Sequence, residues 1–466
     1  MAGNEALVRD LIRLLGPEQV STAPEDLLAH SGDALWPWRA FRAAPLLDRR
    51  PDAVVHPRSP EQVAAVVTWA SQRGVPVVPF GGGTGVMGAV VPLKGGIVLD
   101  MKGLSRVLHV DRESHLVQAE AGVILEALDK ALHPHGLFLG HDPWSQPIAT
   151  LGGTIATNGV GYLAGRYGPM GAQVRGMKVI LGTGEVLTTR PTPKPSAFDF
   201  NALFIGTEGT LGIIVEATVE AFPIPEERLL MAYRFPSFEA GYAAVMEMFH
   251  LGLRPALLDF SQEFWGGGKD EVVLHLGFEG YREEVRGAGQ RARQTCSAHG
   301  GEDLGTGRAL AFWKERHRVA ERYRQEIWGK PLSHRRRPQL AIDYLHIAIP
   351  AGKVPEYRRQ ALSLLQRYPV VVREWSLWGR PEFFSLLFSA DAPASADPLS
   401  LAPLVDALLT LAQDMGGAME YCHGVGIKLS HLLPREWGQG LEVFHRIKKA
   451  LDPAGVMNPG KMGTPL

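Results

Sequence analysis

Residues 78–96 read VPFGGGTGVMGAVVPLKGG, and this stretch narrows the possible folds more than any other in the chain. Gly83, Gly85 and Gly88 spell the GxGxxG of a dinucleotide-binding fingerprint, with Asp100 downstream. That fingerprint has to open a helix whose N-terminus holds a pyrophosphate. Here Pro92, Gly95 and Gly96 interrupt the segment before a helix of useful length could form. The doubly wound nucleotide fold is therefore set aside. What remains is a loop after a strand, where Gly81, Gly82 and Gly83 expose backbone N–H groups in a concave nest that can bind pyrophosphate without a helix.

The residues leading into that loop form a strand–helix–strand unit. AVVHP is a short apolar strand, and Ser59, Pro60 and Glu61 start a helix as N-cap, first helical residue and dipole partner. Gln62 can complete a capping box with Ser59. Val63, Val66, Val67 and Ala70 follow at helical spacing, Gly74 stops the helix, and VPVVPF is the next strand. Beyond the loop, GGIVLDM, VLHVD, LVQAEAG, MKVILGTGEVLTT and LGIIVEATVEAFPIP read as strands with glycine punctuation. The helix VILEALDKALHPHG lies between them.

An α+β domain is expected from 50 to 226, left through Pro223 and Pro225, with helices at 4–16 and 24–31 in a segment 1–49 that precedes the first sheet. A second α+β region spans 227–466. Its expected strands are GKDEVVLHLGFEG and AIDYLHIAIP, and its expected helices are 281–298, 309–328 and 400–415. At 466 residues the chain is too long for one ordinary core.

Two further small-residue tracts accompany the loop. One holds Thr150, Gly152, Gly153, Thr154, Ala156, Asn158, Gly159 and Gly161; the other holds Gly206, Gly209 and Gly212 ahead of a buried strand. Small side chains let backbone approach a flat ring system or a phosphate closely. Three such tracts around one sheet point to a long ligand threaded through the domain.

Charge and cysteine usage exclude several alternatives. The formal net charge is -1, so no global basic field exists to recruit nucleic acid or an anionic membrane. The dense basic run Arg335, Arg336, Arg337 reads as a solvated surface loop. Cys296 and Cys422 are the two cysteines, which is neither a disulfide framework nor an iron–sulfur ligand set. The N-terminal residues carry acids among apolar positions and read as an amphipathic helix rather than a signal peptide. No apolar run approaches a membrane span. A cytoplasmic location is expected, with any membrane role peripheral.

In combination, PDAVVHPRSPEQV, VPFGGGTGVMGAVVP, GHDPWSQPIATLGGTIATNGVG, FIGTEGTLGIIVEATVEAFPIP and LDPAGVMNPGKM resemble the FAD-linked oxidases of the vanillyl-alcohol oxidase type. Their FAD domain is the one shared with p-cresol methylhydroxylase. The similarity runs from Arg50 to Met462. Its nearest branch holds D-lactate dehydrogenase, the glycolate oxidase catalytic subunit and alkyldihydroxyacetonephosphate synthase. The resemblance implies a two-subdomain FAD-binding domain, then an α+β substrate or cap domain whose C-terminus returns to the flavin. It implies that Pro79, Phe80, Gly81, Gly82, Gly83, Thr84 and Gly85 hold the FAD pyrophosphate. Asp142, Pro143 and Ser145 would approach the flavin and ribityl chain. Thr150, Gly152, Gly153, Asn158 and Gly161 would line the pyrophosphate and isoalloxazine. Gly209, Ile213 and Ile214 would flank the adenine half, and Asn458 would come back to the flavin. Some relatives attach FAD through a histidine in the first loop. Gly83-Thr84-Gly85 has none, so non-covalent FAD is expected.

The segment EYCHGVGIKLSH resembles the family's catalytic EHGIG pattern and points to His423. Histidine suits removal of a hydroxyl proton as hydride leaves the α-carbon for flavin N5. Lys428 in the same segment is a candidate partner for an anionic substrate. Arg316, in FWKERHR, resembles the family's arginine on a helix near the flavin, and its planar guanidinium suits carboxylate or phosphate. Tyr344 and His346 lie two apart on a strand and so face one way. All five are candidate catalytic residues.

Metal-using relatives carry a GHxGDGNLH segment. REWSLWGRPEFFSLLF stands here instead, offering Trp378, Gly379, Arg380 and Glu382 but no histidine, and Cys422 replaces a glutamate beside His423. No metal is expected. The expected activity is FAD-dependent oxidation of a small 2-hydroxy acid of the glycolate or D-lactate kind. The alternatives are a synthase-like FAD enzyme with no net redox change and a non-catalytic FAD subunit of an electron-transfer complex. Expected partners are a small anionic substrate and an electron-acceptor protein or quinone, in a homodimer or an oxidase complex.

Overall fold

The computed structural model describes residues 2–36, 39–264, 270–326, 341–390 and 398–464. The basic run at 335–337 lies outside them. The glycine-rich loop leaves a four-stranded sheet made of β1 (Val20–Ser21), β2 (Ala53–Val55), β3 (Val77–Phe80) and β4 (Ile97–Asp100), in the order β1-β2-β4-β3. β2, β4 and β3 run parallel. The strand–helix–strand unit read from the sequence is present, but β4 is inserted between its two strands. The segment expected to precede the first sheet instead supplies that sheet's edge, since Val20 pairs with Val55.

The connecting helix, Pro60–Arg73, buries Val63, Val66, Val67 and Ala70 completely and ends at Gly74 with φ 66°. Each of the three valines contributes roughly 1.5–3 kcal/mol through burial. Ser59 Oγ accepts from the Gln62 N–H at 3.4 Å. The reciprocal half of the capping box is displaced by one residue: Gln62 Oε1 accepts from the Arg58 N–H at 2.7 Å.

A second, antiparallel sheet is built from β5 (Val107–Asp111), β6 (Leu116–Glu120), β8 (Val174–Ile180), β9 (Val186–Thr188) and β10 (Ile213–Glu220), in the order β5-β6-β10-β8-β9. The short strands β7 (Leu137–Phe138) and β11 (Phe222–Pro223) pair as a ribbon beside it. The first of the two later small-residue tracts forms a seven-residue helix, Leu151–Thr157, capped by Thr150 and closed by Asn158 at φ 50°. Two glycines in its first turn are tolerated because the turn packs against β6: a Cβ on Gly152 would lie 2.7 Å from Ala121 Cβ.

The remaining strands make one antiparallel seven-stranded sheet. They are β12 (Glu227–Arg234), β13 (Leu257–Glu263), β14 (Glu271–Gly280), β15 (Glu302–Asp303), β16 (Ile342–Ala348), β17 (Val370–Trp378) and β18 (Phe383–Ala390), ordered β15-β12-β14-β13-β17-β18-β16. The largest core packs on this sheet, with Phe238, Phe260, Tyr357, Trp375, Phe384 and Phe388 buried together. The helix expected at 309–328 is two helices, Gly305–Glu315 and Arg318–Glu326, broken at Arg316 and His317. The chain then returns to the first sheet. Val77 forms a parallel bridge with Met457, and the Asn458 N–H donates to the Val77 carbonyl at 2.8 Å. No described helix is long and apolar enough to cross a membrane.

Candidate active site

Two cavities meet at His423 and Cys422, with Trp144 and Val160 also shared. The first, of about 1200 Å³, is walled by all seven residues of the loop Pro79–Gly85, by Thr150, Gly152 and Gly153, and by Gly209, Ile213 and Ile214. Pro143 and Ser145 complete the wall. The loop is pressed against the segment before the Leu151–Thr157 helix. A Cβ on Gly81 would stand 2.4 Å from Thr150 Oγ1, and one on Gly82 would stand 2.4 Å from the Ile148 carbonyl. Side chains are excluded at both positions, which is why backbone alone faces the cavity there.

Four residues expected at the cofactor stand elsewhere. Asn158 caps the short helix and accepts from the Gly171 N–H at 2.9 Å. Asn458 is a strut behind the wall, donating to the carbonyls of Ala89 at 2.9 Å and Glu208 at 2.7 Å. Gly161 lines the second cavity instead. Asp142 is buried and lines neither cavity, accepting from Arg316 Nε at 2.7 Å and pairing with His317 Nε2 at 2.6 Å. Burial would raise the Asp142 pKa, but these partners outweigh it and hold the carboxyl below its usual range.

The second cavity, of about 1090 Å³, has one face of the seven-stranded sheet as its floor. Asp259 on β13 sits opposite Trp378 on β17, and Tyr344 and His346 come from β16. Tyr344 and His346 do share a face, with ring centroids 4.3 Å apart. The Tyr344 hydroxyl donates to Glu374 Oε1 at 2.5 Å, and His346 Nδ1 is 2.9 Å from Ser385 Oγ. Above the floor stand Arg316, Tyr162, Arg39 and His423. Lys428 reaches neither cavity: it is buried and bound to Asp343 Oδ1 at 2.7 Å.

The two histidines differ in charge. His346, buried and facing His423 at 4.6 Å, is pushed well below the ordinary histidine pKa, by burial first and then by its neighbour. In His423 burial acts the same way but is outweighed by the adjacent Cys422 sulfur and Glu420 carboxylate, and the ring is pushed up to about 10. Its Nδ1 lies 3.4 Å from Glu420 Oε1. The loop carrying it is held by Glu208, whose carboxylate accepts from the N–H groups of Val425 at 2.5 Å and Gly426 at 2.9 Å.

Sequence reasoning missed Arg39, Asp259, Glu208, Tyr162 and His141. Only Glu208 and His141 lie inside the motifs that were singled out. His141 lines the first cavity, is buried, and has no hydrogen-bond partner among the described residues on either ring nitrogen. Burial lowers its pKa to about 4, so the ring is neutral, with one donor and one acceptor unsatisfied. A buried orphan of this kind calls for a polar ligand edge. The backbone-walled loop, the apolar Ile213–Ile214 wall and this orphan fit a flavin dinucleotide. Among the described residues no group of three or more His, Cys, Asp and Glu is placed to hold a metal ion.

A cradle of this construction over a substrate chamber floored by an antiparallel sheet defines a flavin-dependent enzyme of two α+β parts. Residues 51–190 match the FAD binding domain model and residues 224–462 match that of the FAD linked oxidases, C-terminal domain. The chain belongs to the FAD-linked oxidase family, and its cofactor is FAD. It is 29% identical to D-lactate dehydrogenase of Archaeoglobus fulgidus, covering 88% of this chain and 90% of that one. It is 26% identical to glycolate oxidase subunit GlcD of Bacillus subtilis, covering 97% and 95%. Among solved structures it superposes on p-cresol methylhydroxylase with TM-score 0.79 at 17% identity, covering 100% and 98%, a likeness of fold.

Proposed function

We propose that the protein is an FAD-dependent dehydrogenase or oxidase of a small 2-hydroxy acid, its substrate bound in the sheet-floored cavity. The observation that carries the reading is that His423 belongs to both chambers, so one residue stands where cofactor and substrate meet. The names of the relatives, D-lactate dehydrogenase and glycolate oxidase, support the same substrate class. The proposed division is an N-terminal segment 1–49, an FAD-binding domain 50–226 and a substrate domain 227–466.

Bound FAD supplies the acceptor for two electrons, taken as hydride from the carbon that bears the hydroxyl. The chain's own residues manage the proton. His346 is neutral, and when Ser385 accepts from its Nδ1–H, Nε2 is the basic atom. It takes the hydroxyl proton. His423 already carries a proton at neutral pH, offset by Glu420, and steadies negative charge growing on the substrate oxygen. Burial, then Glu374 and Glu263, push the Asp259 pKa well above the ordinary carboxylate range, which favours a protonated carboxyl on the cavity floor. FAD is held without a covalent bond, and the electrons pass on to a protein or quinone acceptor, as a subunit role like that of the Bacillus subtilis relative would require.

Anaerobic mixing of the holoenzyme with a panel of 2-hydroxy acids tests this. At least one member, glycolate and D-lactate foremost, is expected to bleach the flavin stoichiometrically. Bleaching by none of them refutes the reading.

A further inference from the structure

Among the described residues three cations border the substrate cavity, and two of them face a carboxylate that no lysine or other arginine shares. Arg316 is bound through Nε to Asp142 and through Nη1 to the Trp313 carbonyl at 2.6 Å. His423 Nδ1 lies 3.4 Å from Glu420 Oε1, a carboxylate that pairs with no other cation among the described residues. The third is Arg39, from the loop that follows the helix Pro24–Ala29. Its Nη1 is buried and makes no hydrogen bond among the described residues. The nearest carboxylate oxygen is Asp343 Oδ1 at 3.4 Å. That oxygen already accepts from Lys428 Nζ at 2.7 Å and from the Tyr344 N–H at 2.9 Å. Lys428 and Asp343 form a neutral pair, and a proton moved between them leaves it neutral. Asp343 is thus shared between two cations, and Arg39 is the cation of the described cavity wall left without a carboxylate of its own.

We infer that Arg39 seats the charged head of the substrate, and that this head is a single carboxylate rather than a dianionic phosphate. The inference rests on the reading of this cavity as the substrate site. A planar guanidinium offers paired donors that match one carboxylate edge to edge. A carboxylate matches this one guanidinium charge for charge. A phosphate dianion would leave one negative charge buried and unmatched, which a low-dielectric site penalises heavily. With its anion bound, Arg39 gains the hydrogen bonds that Asp343 does not give it, and Arg316 is left to hold Asp142.

The test uses FAD-loaded protein and titration calorimetry with 2-hydroxy-2-methylpropanoate, which has no hydrogen on the α-carbon and so binds without reacting. Arg39→Met is expected to weaken its binding roughly 30- to 1,000-fold, the usual consequence of removing one partner of a buried charged pair. Arg39→Lys restores part of the loss, and FAD content is unchanged in both. In the wild-type protein the methyl ester should bind at least roughly tenfold more weakly than the acid, and inorganic phosphate likewise. Unchanged affinity in Arg39→Met, equal binding of acid and ester, tighter binding of phosphate, or no binding of the acid overturns the inference. If the acid binds through Arg39 yet no hydroxy acid bleaches the flavin, the inference stands and the proposed oxidation fails. If a hydroxy acid bleaches the flavin while Arg39→Met binds normally, the reverse holds.

Discussion

At the scale of single residues, the contrast between His346 and His423 sets the expected pH dependence. Burial pushes His346 well below the ordinary histidine value, so it stays neutral and basic across the physiological range. His423, pushed up to about 10, loses its charge only in alkali. The rate of flavin reduction is therefore expected to show no rise near the ordinary histidine pKa of about 6.5 and to fall as pH climbs through about 10. His346→Gln should slow reduction by roughly two to four orders of magnitude with FAD retained, and His423→Gln should remove the alkaline fall. Stopped-flow reduction across pH checks both. A rise centred near 6.5 in the wild-type protein would return the proton-acceptor role to His423. The sequence located His423 because its Gly-x-Gly neighbourhood is local. It did not locate Arg39, whose meaning depends on Asp343 lying some 300 positions away and already being occupied by Lys428. Lys428 illustrates the same limit from the other side: a lysine beside a catalytic histidine looks available until the fold buries it against a carboxylate.

At the scale of elements, local patterns predict segments and long-range contacts edit them. Helix 309–328 has no breaker in its sequence, yet it divides at Arg316 and His317 because buried Asp142 takes both side chains. The tract at 150–161 reads as glycine-rich backbone, and its helix forms because β6 and the first loop press on it from both sides. The N-terminal segment is tied to the loop by a cluster that no motif announces. His30 and His56 both contact Asp26 and Asp100, and Lys102 joins Asp100 at 2.7 Å and the Gly81 carbonyl at 3.3 Å. Hydrogen bonds to Asp100 and Asp26 raise His56 to about 9 against burial, and His30 is raised as well. Both aspartates are held below their usual range by the histidines. A raised histidine contributes stability that is complete below about 6.5 and is lost as pH rises through its folded value. The lowered aspartates contribute above about 3.8 and lose it as pH falls. Thermal melting is expected to be most resistant between those limits and to decline toward pH 9, and His56→Gln should flatten that alkaline decline. An unchanged alkaline limb in the variant would remove the cluster from the account.

At the scale of the whole molecule, residues from the loop at 79–85, the helix at 151–157, β10 and the segment at 422–423 all wall one cavity, so FAD seated there would bridge segments that are distant in sequence and help hold the chain together. Acid precipitation should leave yellow FAD in the supernatant, since the first loop offers no histidine for covalent attachment. Protein stripped of FAD should melt at lower temperature, with the holoprotein favoured by about 2.7 kcal/mol when free FAD stands ~100-fold above its Kd. Flavin that remains with the pellet would turn attention to His141, His423 and Cys422, which line the same cavity.

The bridge between Val77 and Met457 carries a consequence for biosynthesis. During translation the first sheet emerges early, but the strand that feeds the glycine loop keeps a bare edge until a segment about 380 residues further along has left the ribosome. Until then, the N–H and C=O groups of Val77 lack the partners that Val456 and Asn458 supply. The nascent chain must therefore pass the synthesis of all the intervening residues with that edge open to other strands, which makes the interval before the closing segment arrives the period when chaperone protection matters most.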